Sequence, residues 1–118
     1  MTTEQQIRLR QITDTLVERI KPEKIVLFGS YAADRATPNS DIDLLVILES
    51  DLRRDKRQEA ISRALRPRYF PIDILAYTPA EVRACMADPH SFLNHILKTG
   101  KVLYDRSGGD DDGALDFD

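Results

Sequence analysis

The stretch LFGSYAADRATPNSDIDLLVIL, residues 27–48, carries the features that decide the fold and the chemistry of this chain. The pair Gly29-Ser30 ends one apolar run, and Asp41 and Asp43 open the next. Alternate side chains of a strand lie on one face, so the two carboxylates point the same way, about 6–7 Å apart at the backbone. Carboxylates held this close repel each other, and a divalent cation such as Mg²⁺ relieves the repulsion.

Length and composition indicate a single soluble domain. The chain has 118 residues, which is enough for one hydrophobic core and too few for two. Hydrophobic residues make up 42% and charged residues 31%, the balance of a globular and not of a disordered protein. No apolar run has the length of a membrane span, and the N-terminus lacks the apolar core of a signal peptide. With one cysteine, Cys85, no internal disulfide forms, so we expect a cytoplasmic protein.

The formal charge of −3 is distributed unevenly along the chain. Residues 105–118, DRSGGDDDGALDFD, hold six acidic residues and one basic residue, and residues 1–104 therefore carry a net charge of +2. A segment rich in glycine and aspartate has little to bury. We predict a folded domain over residues 1–104 and an acidic, disordered or appended tail over residues 105–118.

Apolar periodicity and capping residues predict alternating helices and strands. The predicted strands cover residues 24–28, 41–48, 72–77 and 101–104. Helices are predicted before Pro22, over residues 31–34, before Pro67, from Thr78 to about Asp88, and over about residues 91–99. This order predicts an α/β sandwich, with a small mixed β-sheet and flanking helices.

Asp73 stands in the third predicted strand with apolar flanks like those of Asp43. If the second and third strands are neighbours, three carboxylates meet at one point. Such a trio can hold two metal ions about 3.5–4 Å apart, the spacing used for in-line displacement at phosphorus. The alternatives are that Asp41 only ends a loop, and that Asp73 caps a turn or pairs with Arg68.

The Gly29-Ser30 pair follows a predicted strand and precedes a predicted helix. Free backbone N–H groups and the helix dipole favour anions at such a point, and glycine lets a phosphate approach the backbone closely. By itself the pair is a weak signal. Followed by the two aspartates at the start of a strand, it becomes specific.

Together these motifs resemble the nucleotidyltransferase superfamily of the DNA polymerase β type. The resemblance rests on Gly29-Ser30 after a strand, SDIDL at residues 40–44, and Asp73 alone in the next strand. The small size and the ending FLNHILKTGKVLYD, residues 92–105, are similar to the minimal nucleotidyltransferase (MNT) branch. Members of that branch are antitoxins of HEPN/MNT toxin–antitoxin systems. The resemblance covers about residues 12–104 and implies a nucleotidyltransferase fold.

The resemblance also implies roles for individual residues. Three would bind the nucleotide, with the first two at its β- and γ-phosphates: Gly29, Ser30 and Ser40. Three would be both catalytic and metal-binding: Asp41, Asp43 and Asp73. The implied cofactors are two Mg²⁺ ions, with ATP as substrate. Asp73 would also help deprotonate the attacking hydroxyl. The implied partner is a HEPN-domain RNase toxin, silenced by AMP on a tyrosine; we expect neither membrane nor direct nucleic-acid binding.

The sequence departs from the family pattern directly after the glycine-serine pair. The usual run has the form xARG, whereas this chain has YAAD, with Ala33 at the arginine position and Asp34 at the glycine position. Losing a cation and adding a carboxylate should weaken triphosphate binding through Coulomb repulsion. Arg35 could replace part of the lost charge, and aspartate tolerates the left-handed backbone that the turn requires.

Two alternatives to an AMP-transferring enzyme follow. One is a catalytically weak antitoxin that neutralises its toxin by stoichiometric binding. The other is transfer to a small molecule such as an aminoglycoside, which is less favoured because such enzymes usually carry a further substrate-binding domain. The basic run over residues 53–68 is interpreted as a solvated helix face, or else as a docking surface for an acidic partner or for ATP phosphates. His90 and His95 are interpreted as ordinary structural or surface residues.

Overall fold

The computed structural model describes residues 2–37, 40–66 and 71–106, which contain four helices and four strands. In chain order these are α1 (Thr3–Arg19), β1 (Lys24–Phe28), β2 (Ile42–Ile47), α2 (Arg54–Ala64), β3 (Ile72–Tyr77), α3 (Pro79–Met86), α4 (Phe92–Thr99) and β4 (Lys101–Asp105). The strands form one sheet in the order β3-β2-β1-β4. Strand β2 is parallel to β3 and antiparallel to β1, and β1 is antiparallel to β4. The predicted α/β sandwich with a small mixed sheet is confirmed.

Strand β2 lies inside the sheet and is covered on both faces. Ile42, Leu44 and Val46 belong to the hydrophobic cluster that α1 and α2 complete. Leu45 and Ile47 belong to the cluster on the opposite face, under α3 and α4. A strand buried on both faces is a continuous apolar run, which explains the sequence of β2. Its one polar residue is the aspartate at position 43.

Helix ends follow the predicted capping signals. Capping boxes formed by Thr2 with Gln5 and by Thr78 with Glu81 begin α1 and α3. In each box the hydroxyl accepts a backbone N–H of the first turn, and the later side chain accepts the N–H of the cap residue. Gly100 ends α4. Strands β1 and β3 have the predicted bounds.

The predicted helix over residues 31–34 is wrong. These residues form a turn, closed by a hydrogen bond from the Arg35 N–H to the Ser30 carbonyl (2.8 Å). Asp34 adopts a φ of 60°, which a right-handed helix does not contain. The chain therefore leaves the turn in a new direction instead of continuing a helix.

The described structure continues past residue 104, the predicted end of the folded domain. Asp105 ends β4 and forms an ion pair with Lys24 (3.6 Å), and the Arg106 N–H donates to the Glu23 carbonyl (2.8 Å). Residues 107–118 and 67–70 lie outside the described residues, so the acidic tail, the helix stop at Pro67 and any role of Arg68 stay predictions. No helix in the described part of the chain combines the length and the apolar character needed to cross a membrane.

A buried cation, Arg57, connects α2 with β3 and α3. Its side chain is 6% exposed and donates to the carbonyls of Leu52 (2.8 Å) and Ala76 (2.9 Å) and to both carboxylate oxygens of Glu81 (2.7 and 2.8 Å). The hydrogen bond to Arg57 is the main reason why the pKa of Glu81 is lowered to about 2. The interpretation of residues 53–68 as a solvated or docking face therefore does not hold for Arg57, which has a structural partner.

We expect Arg57→Leu to lower the free energy of unfolding by about 2–3 kcal/mol at pH 7, because it removes the guanidinium donors to Glu81 and to two carbonyls. Glu81 contributes this stability only while ionised, above its ordinary pKa of 4.5, and loses it as the pH falls towards 2. The difference between the two proteins should therefore shrink in acid. Urea denaturation at several pH values measures both effects.

The matched control is Arg63→Leu on the same helix. Arg63 pairs with Glu59 at 3.0 Å, but the two side chains are 66% and 57% exposed. Its loss should cost about 0.5 kcal/mol or less. Equal losses in the two variants would contradict the structural role of Arg57.

Candidate active site

The parallel pairing of β2 with β3 brings the predicted acidic residues together. Asp43 and Asp73 are direct partners in the register of these strands, so their side chains lie on the same face of the sheet. Asp41 is two residues before Asp43, in the loop directly preceding β2, since this strand begins one residue later than predicted. The second and third strands are neighbours, which was the condition for the three carboxylates to come together.

The three carboxyl groups of Asp41, Asp43 and Asp73 act on one another electrostatically. The pKa of Asp41 is raised by loss of hydration, by a hydrogen bond to Asp73 and by the charge of Asp73. The pKa of Asp43 is raised by burial and by the charges of the other two. No salt bridge within residues 2–37, 40–66 and 71–106 joins any of them to a basic side chain. The site therefore holds concentrated negative charge that lacks a protein counter-ion in the described part of the chain.

This donor set suits a hard divalent cation by its chemistry, because carboxylate oxygens are the ligands that Mg²⁺ prefers. Among the described residues, however, no group of three or more His, Cys, Asp or Glu side chains is arranged to hold a metal ion. The negative charge of Asp73 favours the protonated form of Asp41. A divalent cation bound by these carboxylates would offset this repulsion.

Gly29 lies directly against the acidic site. Its φ is 75°, and a Cβ atom at this position would be 2.1 Å from the Asp43 Oδ2 atom. Only glycine leaves room for the carboxylate and adopts this backbone conformation without strain. The turn that begins here contains Asp34 at a φ of 60°, so the turn forms even though glycine is replaced at that position.

The two predicted serines have different surroundings. Ser30 follows Gly29 in the turn and is half-buried. Ser40 precedes Asp41, and its Oγ atom accepts a hydrogen bond from the Thr37 N–H (2.8 Å), while its own N–H donates to the Thr37 carbonyl (3.0 Å). Ser40 therefore fixes the loop that leads into the aspartates.

A cavity of about 280 Å³ lies beside the turn. It is lined by Gly29, Ala32, Ala33, Arg35, His95 and Thr99. No motif in the sequence connects His95 with the turn, because α4 is far from it along the chain. The pairing of β4, which directly follows α4, with β1, which leads into Gly29, brings the two together.

We expect Gly29→Ala to lower the free energy of unfolding by about 2–3 kcal/mol, from the positive φ and the clash with Asp43 together. In an Asp43→Ala background the clash disappears and the cost of Gly29→Ala should fall to about 1 kcal/mol. Denaturation of the four proteins of this double-mutant cycle measures the coupling. Asp34→Gly, in the same turn, should stay within about 1 kcal/mol of the native chain. If Gly29→Ala lowers the free energy of unfolding by the same amount in both backgrounds, the contact between residue 29 and the Asp43 side chain is contradicted.

We expect Asp43→Asn to raise the free energy of unfolding of the metal-free protein at pH 7 by about 0.5 kcal/mol. The raised pKa of Asp43 means that its ionised form opposes folding, so native stability declines as the pH rises above about 3.8. The variant should lack this decline. Denaturation in a chelator between pH 4 and 7 tests it, with Asp51→Asn, an exposed loop residue, as control. A less stable Asp43→Asn protein would contradict the proposed repulsion.

Comparison with known proteins agrees with this fold. The family model described as polymerase beta, nucleotidyltransferase matches residues 10–108. The chain is similar to a solved structure from Sulfolobus solfataricus, provisionally assigned as a nucleotidyltransferase, with 22% identity, a TM-score of 0.61, and 88% of this chain and 86% of that chain covered.

Two further similar structures are mutants of the toxin–antitoxin MntA-HpeT. One has 25% identity and a TM-score of 0.52, with 91% of this chain and 80% of that chain covered. The other has 24% identity and a TM-score of 0.53, with 89% of this chain and 79% of that chain covered. No curated protein matches the chain. Since the family model spans most of its length, the chain belongs to the polymerase beta nucleotidyltransferase family.

Proposed function

We propose that this protein is an antitoxin that transfers AMP from ATP to a tyrosine hydroxyl of a HEPN-domain RNase toxin, and that the transfer depends on Mg²⁺. The observation that carries the proposal is the register pair of Asp43 and Asp73, with Asp41 beside them and Gly29 against the Asp43 carboxylate. Family membership supports the nucleotidyl-transfer part of the proposal.

The three aspartates would hold Mg²⁺, as the chemistry of their oxygens and their unbalanced charge favour. When bound, Mg²⁺ supplies the positive charge that offsets the triphosphate and the charge developing at phosphorus. Without a cation the carboxylates would repel the triphosphate, so nucleotide and metal should bind together.

The remaining chemistry belongs to side chains and backbone of this chain. The toxin tyrosine oxygen attacks the α-phosphorus of ATP, the bond between this phosphorus and the bridging oxygen breaks, and pyrophosphate leaves. The phenol proton passes to a carboxylate oxygen of Asp73, which is exposed and within hydrogen-bonding reach of Asp41. Gly29 and Ser30, with N–H groups at the end of β1, would hold the leaving phosphates, and Ser40 would support the loop that carries Asp41.

The antitoxin part of the proposal is supported by the similarity to the MntA-HpeT toxin–antitoxin structure at 25% identity over 91% of this chain. A toxin bound in such a complex would meet the site as a macromolecular acceptor with its own binding surface.

A second candidate is neutralisation by binding alone. Two observations favour it: no cation lies at Ala33 or Asp34, and no group of three or more His, Cys, Asp or Glu side chains in the described residues is arranged to hold a metal ion. In this alternative the toxin would be silenced by a stoichiometric complex and the aspartates would be dispensable.

The test combines the chain, ATP, Mg²⁺ and the HEPN protein encoded next to it, with intact-mass spectrometry of that protein. We expect added AMP with the native chain, loss of at least 100-fold in rate with Asp41→Asn plus Asp43→Asn, and loss of the adduct in a chelator. The matched control is Asp14→Asn plus Asp51→Asn, which removes the same charge from exposed positions elsewhere.

Toxin inhibition that survives loss of both site aspartates, without any adduct, would favour stoichiometric binding. Thermal denaturation gives a second readout, because a ligand present at 100 times its Kd stabilises a protein by about 2.7 kcal/mol. We expect ATP with Mg²⁺ to raise the Tm of the native chain and of the control. An unchanged Tm in the native chain, together with the absence of an adduct, would rule out the enzyme.

A further inference from the structure

The cavity beside the Gly29 turn contains two cationic or hydrogen-bonding side chains that the proposed mechanism does not use. Arg35 reaches it from the turn, and His95 reaches it from α4. The cavity has a volume of about 280 Å³ and also includes Gly29, the residue that contacts the Asp43 carboxylate. It therefore adjoins the acidic site directly.

Hydrogen bonds of the backbone fix the positions of Arg35 and His95 at the cavity. The Arg35 N–H donates to the Ser30 carbonyl (2.8 Å), which closes the turn, and the left-handed backbone of Asp34 directs the chain at this point. The His95 N–H donates to the Ser91 carbonyl (3.2 Å), and the His95 carbonyl accepts from the Thr99 hydroxyl (2.9 Å). Both residues are thus fixed without using their side-chain donors.

Neither side chain has a hydrogen-bond or ion-pair partner within the described ranges. The Arg35 guanidinium is always charged and offers a planar set of donors, and the His95 imidazole offers at least one N–H in either protonation state. The rest of the wall is small: two methyl groups, from Ala32 and Ala33, leave the space open. Free donors around an open volume suit an anion with several oxygens.

We propose that Arg35 and His95, on the wall of this cavity, are additional ligands for the terminal phosphates of the nucleotide and supply the charge and the donor that Ala33 lacks. This inference rests on the proposed nucleotidyl transfer and names two residues for its triphosphate. Arginine binds phosphate with two parallel hydrogen bonds, and an imidazole N–H on the facing helix adds a third. The anion would lie against Gly29, close to the acidic site.

The experiment measures binding of inorganic tripolyphosphate and of ATP, each with Mg²⁺, by isothermal titration calorimetry. We expect Arg35→Ala and His95→Ala each to weaken both ligands about tenfold, which corresponds to about 1.4 kcal/mol, and the double variant to weaken them further. His95→Gln keeps one N–H donor and should recover most of the affinity. Both residues are exposed, so circular dichroism should show native folding.

The matched control is Arg83→Ala plus His90→Ala, which removes one arginine and one histidine from exposed positions away from this cavity. It should bind both ligands as the native chain does. Native affinity in Arg35→Ala plus His95→Ala, or absence of tripolyphosphate binding to the native chain, would overturn the inference. If tripolyphosphate binds through Arg35 and His95 but no AMP is transferred, the phosphate site stands and the proposed function fails.

Discussion

The parallel register of β2 against β3 is the constraint on which the site depends. It places Asp43 opposite Asp73, and like charges directly opposite each other destabilise a sheet. The apolar residues that continue both strands, covered by helices on both faces, hold the register against this repulsion. A shift by one residue would move the carboxylate of Asp43 to the other face and bury it among the side chains under α1 and α2.

The two ends of the parallel strand pair β2 and β3 differ in their electrostatic interactions. At the start of β2 and β3 the carboxylates repel, and at the end of β3 the buried Arg57 joins Leu52, Ala76 and Glu81. Because Glu81 also closes the capping box of α3, one ion pair fixes two helices and a strand. Reactive and stabilising groups thus occupy opposite ends of the same strand, so an electrostatic change at the site need not disturb the packing of the core.

Sequence reasoning predicted those parts of the fold that local chemistry determines. The bounds of β1 and β3 and the capping boxes follow from apolar runs and from residues a few positions apart, whereas the adjacency of the second and third strands entered only as a condition. The turn at residues 31–34 was missed because its direction depends on the positive φ of Asp34, and the burial of Arg57 was missed because its acceptor Glu81 is 24 positions away. His95 was missed for the same reason: only the pairing of β4 with β1 brings α4 to the turn. The roles of the aspartates and serines stay predictions.

The raised pKa values of Asp41 and Asp43 have a thermodynamic consequence. Near those pKa values the carboxyl groups are partly protonated, whereas a cation binds their ionised form. Metal uptake in mildly acidic solution should therefore release protons, so the observed heat should vary with the ionisation enthalpy of the buffer. The acidic site would then exchange protons for metal ions, and its occupancy would follow both concentrations.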